Sequence, residues 1–209
     1  MKKLTALMMM GVMAVSVAAC GGSGQAASDQ TVSGSVQQET ESVAGEVEDT
    51  GTAEKPETVT IQSLNANKEM IDLKVPYDAE RIAVMDMASL DILDSLGLGD
   101  RVVGVSDTSL DYLQEYVTND AVAKLGTIKE ADMEAVMASE PDVIFIGGRL
   151  ASSYDALSEI APVVYLATDP ELGVVESVRQ NTAKIASMFG AENEVDALMQ
   201  GFDERIAAL

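Results

Sequence analysis

The chain of 209 residues carries 13 Lys and Arg against 35 Asp and Glu, which gives a formal net charge of −22. This balance argues against nucleic acid as a partner, because phosphate binding needs a basic face, and against a surface that lies flat on anionic lipid. The chain has no His and a single Cys, which excludes the usual ligand sets for zinc, copper and manganese and the base of the commonest nucleophilic triads. We therefore expect neither a metal centre, nor a protein-held cofactor, nor a disulfide framework.

The first residues predict a secretory signal peptide over 1–19. Two lysines follow Met1, and an apolar stretch too short to span a bilayer comfortably runs from Leu4 to Ala19. The segment 17–21, Val-Ala-Ala-Cys-Gly, resembles a bacterial lipobox, in which the cysteine is lipidated and becomes the mature N-terminus. The resemblance implies an extracytoplasmic protein anchored to the cell membrane by acyl chains such as palmitate on Cys20. The alternative is a plain secreted protein.

Residues 20–57 predict a disordered acidic tether. The segment is rich in Gly, Ser, Ala, Thr, Gln and acids and contains no aromatic residue, so it cannot bury enough apolar surface to offset its ordering entropy. The remainder, from Thr58 onwards, is about the size of one domain and can bury a core.

Alternating strands and helices follow the tether. Two alternating runs, 58–63 and 70–75, predict a hairpin that Pro76 ends. Strands are then predicted over 81–85, 101–105, 143–146 and 163–166, and helices over 88–96, 132–139 and 153–160. Asp132 is the expected N-cap of the second helix, and either Asp86 or Ser89 that of the first. Strands that alternate with helices predict an α/β fold with a parallel sheet flanked by helices.

Two further helices complete the pattern. From Val174 the spacing of Val175, Val178, Thr182, Ile185 and Met188 predicts a helix with Gly190 as its C-cap. A second helix is predicted over 191–209, with Val195, Leu198 and Phe202 on one face. Since the apolar pattern reaches Leu209 without a stop signal, we expect this helix to be truncated.

Four segments carry a resemblance to a known family. They read RIAVMD over 81–86, LDILDSLGLGDRVVGV over 90–105, LGTIKEADMEAV over 125–136 and PDVIFIGGR over 141–149. In order and spacing they resemble the iron-siderophore and vitamin B12 substrate-binding proteins of ABC importers. The chain is most similar to the branch that binds ferric catecholate siderophores of the petrobactin type.

The resemblance implies two α/β lobes joined by one long helix, with the ligand in the cleft between them. This sequence then supplies the N-terminal lobe over 58–190 and the start of the interlobe helix over 191–209, while the second lobe is absent. The implied protein is a monomer that is not an enzyme, and it delivers its cargo to the permease subunits of an importer.

Arg149 is the first candidate for a ligand contact. It follows Gly147 and Gly148 at the carboxyl end of a predicted buried strand, where open α/β sheets bind ligands. A ferric tris-catecholate complex is an anion, and Arg offers a permanent charge with donors. The resemblance places an arginine at this position in the cleft. The structural alternative is a solvated surface arginine.

Neighbouring loops supply the other candidates. Met87 and Ser89 lie at the first strand-to-helix turn, whose free N–H groups suit an anion. Gly148 precedes Arg149, and Asp107 belongs to the loop 106–112, where some relatives carry a lysine. Glu134 matches the acid with which the family docks onto arginines of the permease, although an acid in a first helical turn is also favoured by the helix dipole.

Other functions stay open at this point. Paired carboxylates could serve an extracellular hydrolase such as a glycosidase, but the chain has no Trp to form a sugar platform. A surface scaffold without a small ligand would not need an arginine at a strand end. Within the binding class, haem or cobalamin are the alternatives to a siderophore.

Overall fold

A computed structural model describes residues 55–208 of the chain. The predicted signal peptide, Cys20 and the greater part of the predicted tether lie outside the described residues.

The described part begins with the predicted antiparallel hairpin of β1 (Thr58–Leu64) and β2 (Met70–Pro76). Leu64 pairs with Met70 at the closed end. The side-chain oxygen of Asn65 accepts hydrogen bonds from the backbone N–H groups of Asn67 and Glu69 at 2.9 and 3.0 Å. The Asn65 side chain thus satisfies two backbone N–H groups of the turn, which fixes the register of the two strands.

The strands that follow are β3 (Ile82–Met85), β4 (Val102–Val105), β5 (Ala123–Lys124), β6 (Gly126–Thr127), β7 (Glu130–Ala131), β8 (Val143–Ile146) and β9 (Val163–Tyr165). The helices are α1 (Met87–Ser95), α2 (Gln114–Thr118), α3 (Met133–Ala138), α4 (Tyr154–Ser158), α5 (Gly173–Phe189) and α6 (Glu192–Ala207). Short 3-10 turns cover Gly99–Arg101, Asp111–Leu113 and Gly148–Ser153.

Five of these strands form one parallel sheet in the order β5-β4-β3-β8-β9. Every residue of β3, β8 and β9 is buried, which is why these strands read as continuous apolar runs in the sequence. The parallel sheet with flanking helices confirms the predicted α/β fold class. The two-stranded hairpin of β6 and β7 lies outside this sheet.

Alternate residues of β3 enter two cores on opposite faces of the sheet. Ile82 and Val84 join a cluster that contains Leu90 and Leu93 of α1 and Ile185 of α5. Their neighbours Ala83 and Met85 join a second cluster on the other face, which includes Val136 of α3 and Leu157 of α4. The sheet is therefore covered on both sides, and its ends are left for loops.

The hairpin shields the β9 edge of the sheet. The Ser63 hydroxyl accepts a hydrogen bond from the backbone N–H of Tyr165 at 2.9 Å, and both residues are buried. A side chain thus meets a backbone group that would otherwise stand unpaired on an exposed edge strand.

The last two helices form a connected pair. Gly190 ends α5 in the left-handed conformation, with φ at 66°, which fits the predicted C-cap. Arg179 of α5 donates to both carboxylate oxygens of Asp203 on α6, each at 3.0 Å. Only Met199 of the described α6 residues is buried, so this helix packs more loosely than α5.

The structure differs from the predicted elements in three places. The helix predicted over 153–160 is shorter, because a 3-10 turn precedes it and because Pro162 disfavours helical geometry at Ala161. Val175, which shares the helical spacing of Ile185 and Met188, is 41% exposed, since periodicity identifies a helix face but not how far the core extends along it. The predicted elements also omit α2, β5, β6 and β7, which are too short to show a period.

Candidate functional site

The candidate site lies along one edge of the parallel sheet, which we call the carboxyl edge. It consists of the segments that follow β3, β4, β8 and β9, namely Asp86, 106–110, 147–149 and 166–172. Because the strands are parallel, their carboxyl ends meet at the same edge. Ligands of open α/β sheets bind there.

Arg149 is exposed at this edge, on the 3-10 turn that follows β8. Its guanidinium makes no hydrogen bond or ion pair with any of residues 55–208. It is also the one cation in the four segments of the carboxyl edge. The donors of this guanidinium are therefore available to an anion from solution.

Two glycines allow the chain to pass close to its neighbours before Arg149. A Cβ on Gly147 would lie 2.5 Å from Oδ1 of Asp86, and a Cβ on Gly148 would lie 3.2 Å from the hydroxyl of Tyr165. The first distance is too short for a side chain, because Asp86 is itself held in place. The glycine pair thus brings the backbone that carries Arg149 against the ends of β3 and β9.

Asp86 is the N-cap of α1, which decides between the two predicted caps. Its Oδ2 accepts hydrogen bonds from the backbone N–H and the hydroxyl of Ser89, both at 2.9 Å. Ser89 is only 2% exposed, and Met87 is partly buried against the core. The positive end of α1 therefore already faces a carboxylate, which reduces its attraction for an external anion.

Asp107 is exposed after β4, and its backbone N–H donates to the carbonyl of Gly126 at 2.9 Å. The residue before it, Ser106, is fully buried, and its hydroxyl has no hydrogen-bond partner among the described residues. The sequence did not single out Ser106, because a serine at a strand end is common in loops. The side-chain carboxylate of Asp107 disfavours an anion at this part of the edge.

Tyr165 is a second residue that the sequence reasoning missed. It ends β9, is 2% exposed, and places its hydroxyl beside Gly148. Burial raises the pKa of its phenol, so the group stays protonated at neutral pH. The available signal was its position as the last residue of a strand next to the one that leads to Arg149.

Glu134 lies in the first turn of α3 and is exposed. The side chain of Asp132 caps this helix as predicted, accepting a hydrogen bond from the N–H of Ala135 at 3.0 Å. The N–H of Asp132 donates to the carbonyl of Leu125, just after β5. Glu134 therefore lies on a helix that covers one face of the sheet, outside the four segments of the carboxyl edge.

Residues 55–208 contain no group of three or more His, Cys, Asp or Glu side chains arranged to hold a metal ion. None of the helices in that range is both long and apolar enough to cross a membrane.

Comparison with known proteins gives the family. Residues 82–209 match the family described as periplasmic binding protein. The chain belongs to this family. The match begins at β3, so it includes the strands and loops that build the carboxyl edge.

Individual relatives agree with this assignment. The chain is 34% identical over 158 residues to the petrobactin-binding protein YclQ of Bacillus subtilis (strain 168), a match over 75% of this chain and 48% of YclQ. It is 25% identical over 131 residues to the ferric-anguibactin-binding protein FatB of Vibrio anguillarum, a match over 61% of this chain and 40% of FatB.

Solved structures show the same fold. The crystal structure of YclQ superposes with a TM-score of 0.65 at 33% identity, covering 73% of this chain and 52% of that one. The periplasmic catecholate-siderophore binding protein VctP of Vibrio cholerae gives a TM-score of 0.62 at 30% identity, covering 72% and 52%. The chain thus spans about half the length of these relatives, and the resemblance inferred from the sequence is confirmed.

Proposed function

We propose that this chain is part of an extracytoplasmic binding protein that captures a ferric siderophore, of the catecholate type, and delivers it to the permease subunits of an ABC importer. The observation that carries the proposal is an exposed arginine at the carboxyl edge of the sheet that has no partner among residues 55–208, in a chain similar to YclQ and VctP. The protein would act by binding, not as an enzyme.

The chemistry of Arg149 suits such a cargo. Catecholate oxygens around ferric iron carry net negative charge, and a guanidinium donates to them while its plane stacks on a ring. The iron is cargo and needs no ligand from the protein. Gly148 would let the complex approach the backbone, whereas Met87 and Ser89 would contribute shape only, because the Ser89 hydroxyl is already bonded to Asp86.

Acidic groups at the carboxyl edge restrict where an anionic ligand can lie. Asp86 is occupied by two hydrogen bonds from Ser89, but Asp107 is exposed and without a neighbouring cation in its loop. A bound anion would have to leave Asp107 in solvent or meet it through water. Two further exposed acids, Asp169 and Glu171, follow β9, whereas the segment 147–149 carries Arg149 and no acid. We therefore expect the ligand to lie closest to the end of β8.

Anchoring and delivery complete the proposal. Lipidation of Cys20 would hold the protein at the outer face of the cell membrane, where two or more acyl chains give stable attachment. Glu134, exposed on α3, would meet basic groups of the permease while the protein acts as a monomer.

Replacement of Cys20 tests the anchor. In Cys20→Ala we expect the protein to leave the membrane fraction or to remain unprocessed, because the acceptor of the acyl chains is lost. The measurement is fractionation of cells followed by detection of the protein and its apparent mass. A mutant that fractionates and matures like the wild type would show that Cys20 is not lipidated.

A ligand panel tests the binding function itself. Tyrosine fluorescence of the 209-residue chain, which has 5 Tyr and no Trp, is followed during titration with a ferric catecholate siderophore, its iron-free form, a ferric hydroxamate, haem and cobalamin. Free tyrosine amide corrects for light absorbed by each ligand. Because the chain spans about half the length of its relatives, we expect weak quenching that is strongest for the ferric catecholate. Tighter binding of haem, cobalamin or the iron-free siderophore than of the ferric catecholate would overturn the proposal.

A further inference from the structure

A cavity of about 240 Å³ lies between the β1–β2 hairpin, the segment 166–172 and α5. Its floor is apolar and buried, formed by Tyr165 and Leu166 at the end of β9 together with the partly buried Leu64. Met70 and Leu172 stand at its rim and are 56% and 44% exposed. A concave, mainly apolar cavity with a few polar groups is the usual form of a small-molecule site.

The wall formed by residues 166–173 is fixed to α5. The Ser177 hydroxyl donates to the carbonyl of Gly173 at 2.6 Å and accepts from the N–H of Asp169 at 2.9 Å. The side-chain amide of Asn181 donates to the carbonyl of Ala167 at 3.3 Å. The cavity is thus formed by the fold before any ligand arrives, which lowers the entropy cost of binding.

Lys184 is the one cation that lines this cavity. It is partly buried, and burial lowers the pKa of its ammonium group. No carboxylate of residues 55–208 lies within 4.0 Å of it. A lysine that is removed from water without a counter-ion is destabilised in its charged form, and a bound anion would offset that cost.

Neighbouring acids are already committed elsewhere. Asp169, which lines the cavity, accepts a hydrogen bond from the N–H of Glu171 at 2.8 Å. Glu176, on the same helix as Lys184, accepts from Gln180 at 3.2 Å and lies 3.6 Å from Arg179. Neither carboxylate lies within 4.0 Å of the ammonium group of Lys184.

We propose that this cavity binds a small amphipathic carboxylate, with its carboxylate on Lys184 and its apolar body against Leu64, Leu166 and Met70. The volume is below the roughly 300–1,000 Å³ of sites for drug-sized ligands, so the ligand has one ring or a short branched chain. Met70 is flexible enough to close over such a body. The cavity shares Tyr165 and the segment 166–172 with the carboxyl edge, whereas Lys184 lies outside that edge, so tests on Lys184 distinguish this inference from the function proposed for Arg149.

Benzoate is the probe for the first experiment. Benzyl alcohol is the control that keeps the aromatic ring but has no charge, and acetate is the control that keeps the carboxylate but has no ring. Amide chemical shifts of the 209-residue chain are followed during each titration. We expect benzoate to shift residues 63–70 and 177–184 in a saturable way with a Kd of about 1 mM, as fits a ligand of this size. Benzyl alcohol and acetate should each bind at least about tenfold more weakly, which corresponds to 1.4 kcal/mol.

Two variants locate the charge. Lys184→Met keeps the length of the side chain and should weaken benzoate binding about tenfold or more. Lys129→Met removes the same charge from an exposed turn between β6 and β7 and should leave the Kd unchanged. Equal benzoate binding by wild type and Lys184→Met, with both folded by circular dichroism, would overturn the proposal.

A direct titration of Lys184 gives a readout that does not depend on either variant. Carbon-13 methylation of lysines reports each ammonium pKa by NMR. Because a bound anion favours the charged form, saturating benzoate should raise the pKa of Lys184 from its lowered value, while that of Lys129 should not move. An unchanged pKa of Lys184, or no saturable shift up to about 20 mM benzoate, would contradict the assignment.

Discussion

At the scale of single residues, Asp78, in the loop between β2 and β3, connects Arg101 before β4 with the end of α5. Its carboxylate forms ion pairs with Lys55 at 2.8 Å and with Arg101 at 2.6 Å. The guanidinium of Arg101 lies 5.6 Å from the ring centroid of Phe189. Hydrogen bonds from Lys55, and then from Arg101, lower the pKa of Asp78. Lys55 is 73% exposed, so solvent screens its part, and Arg101 is the partner that matters for stability.

Asp78→Asn tests this junction. Asp78 has a positive φ of 58°, which Asn also tolerates, so the change removes charge without backbone strain. We expect a loss of about 1 kcal/mol in the free energy of unfolding at neutral pH. Because the folded-state pKa lies below 3.8, this stabilisation is present above pH 3.8 and is lost as the pH falls through the folded-state value.

Urea unfolding of wild type and Asp78→Asn across the acid range measures the effect. The two proteins should differ at neutral pH and converge as the pH falls through the lowered pKa of Asp78 in the folded state, because the wild-type carboxylate then becomes protonated. A constant difference across that range would mean that charge at Asp78 does not stabilise the fold.

At the scale of elements, two glycines in the last helices have opposite roles. Gly190 ends α5 at a φ of 66°, and a Cβ there would lie 2.3 Å from the hydroxyl of Tyr77. Gly201 lies inside α6, and a Cβ there would meet nothing within 4 Å. The first glycine is required by conformation and by space, and the second is required by neither.

The matched alanine variants should therefore move stability in opposite directions. Gly190→Ala should destabilise the protein by about 1 kcal/mol or more, because an L-residue is strained there. Gly201→Ala should stabilise it by about 0.5–1 kcal/mol through helix propensity. Thermal unfolding measures both changes. Equal effects of the two substitutions would contradict the different roles given to these glycines.

The sequence predicted those elements whose burial shows directly in the local pattern of apolar residues. β8 was predicted with its observed bounds because all of its residues are buried and apolar, and the hairpin because polar and apolar residues alternate. The pairs in β5, β6 and β7 depend on long-range contacts that no local pattern records. Arg149 was identified from its position directly after a predicted strand. Tyr165 and Ser106 can be recognised as residues of the candidate site only when the structure places neighbouring strands side by side.

At the scale of the whole molecule, Arg149 at the carboxyl edge and Glu134 at the start of α3 carry opposite charges. Arg149 is exposed and has no ion-pair partner among residues 55–208, and Glu134 is an exposed acid, in a chain of net charge −22. That background repels anions at long range, and salt screens it. We infer that a ligand anion is held by short-range contacts, and that the acidic outer surface suits a basic partner.

Glu134→Ala separates capture from delivery. We expect ferric siderophore affinity within about twofold of wild type, because Glu134 belongs to α3 and not to the segments of the carboxyl edge. We expect slower uptake by cells, because the proposed contact with the permease is lost. Glu159→Ala, which removes an exposed acid after α4, is the control and should leave uptake unchanged. A large loss of affinity in Glu134→Ala would place Glu134 in the ligand site instead.

The central claim is that Arg149 contacts an anionic ferric complex. The most direct measurement is the dissociation constant of a ferric catecholate siderophore for Arg149→Ala, with Lys74→Ala on β2 as a matched loss of one exposed charge. A hydrogen bond to a charged group contributes about 1.5–3 kcal/mol, so Arg149→Ala should bind roughly tenfold or more weakly. Lys74→Ala should bind like the wild type. An equal loss in both variants, or an unchanged dissociation constant in Arg149→Ala, would contradict the account.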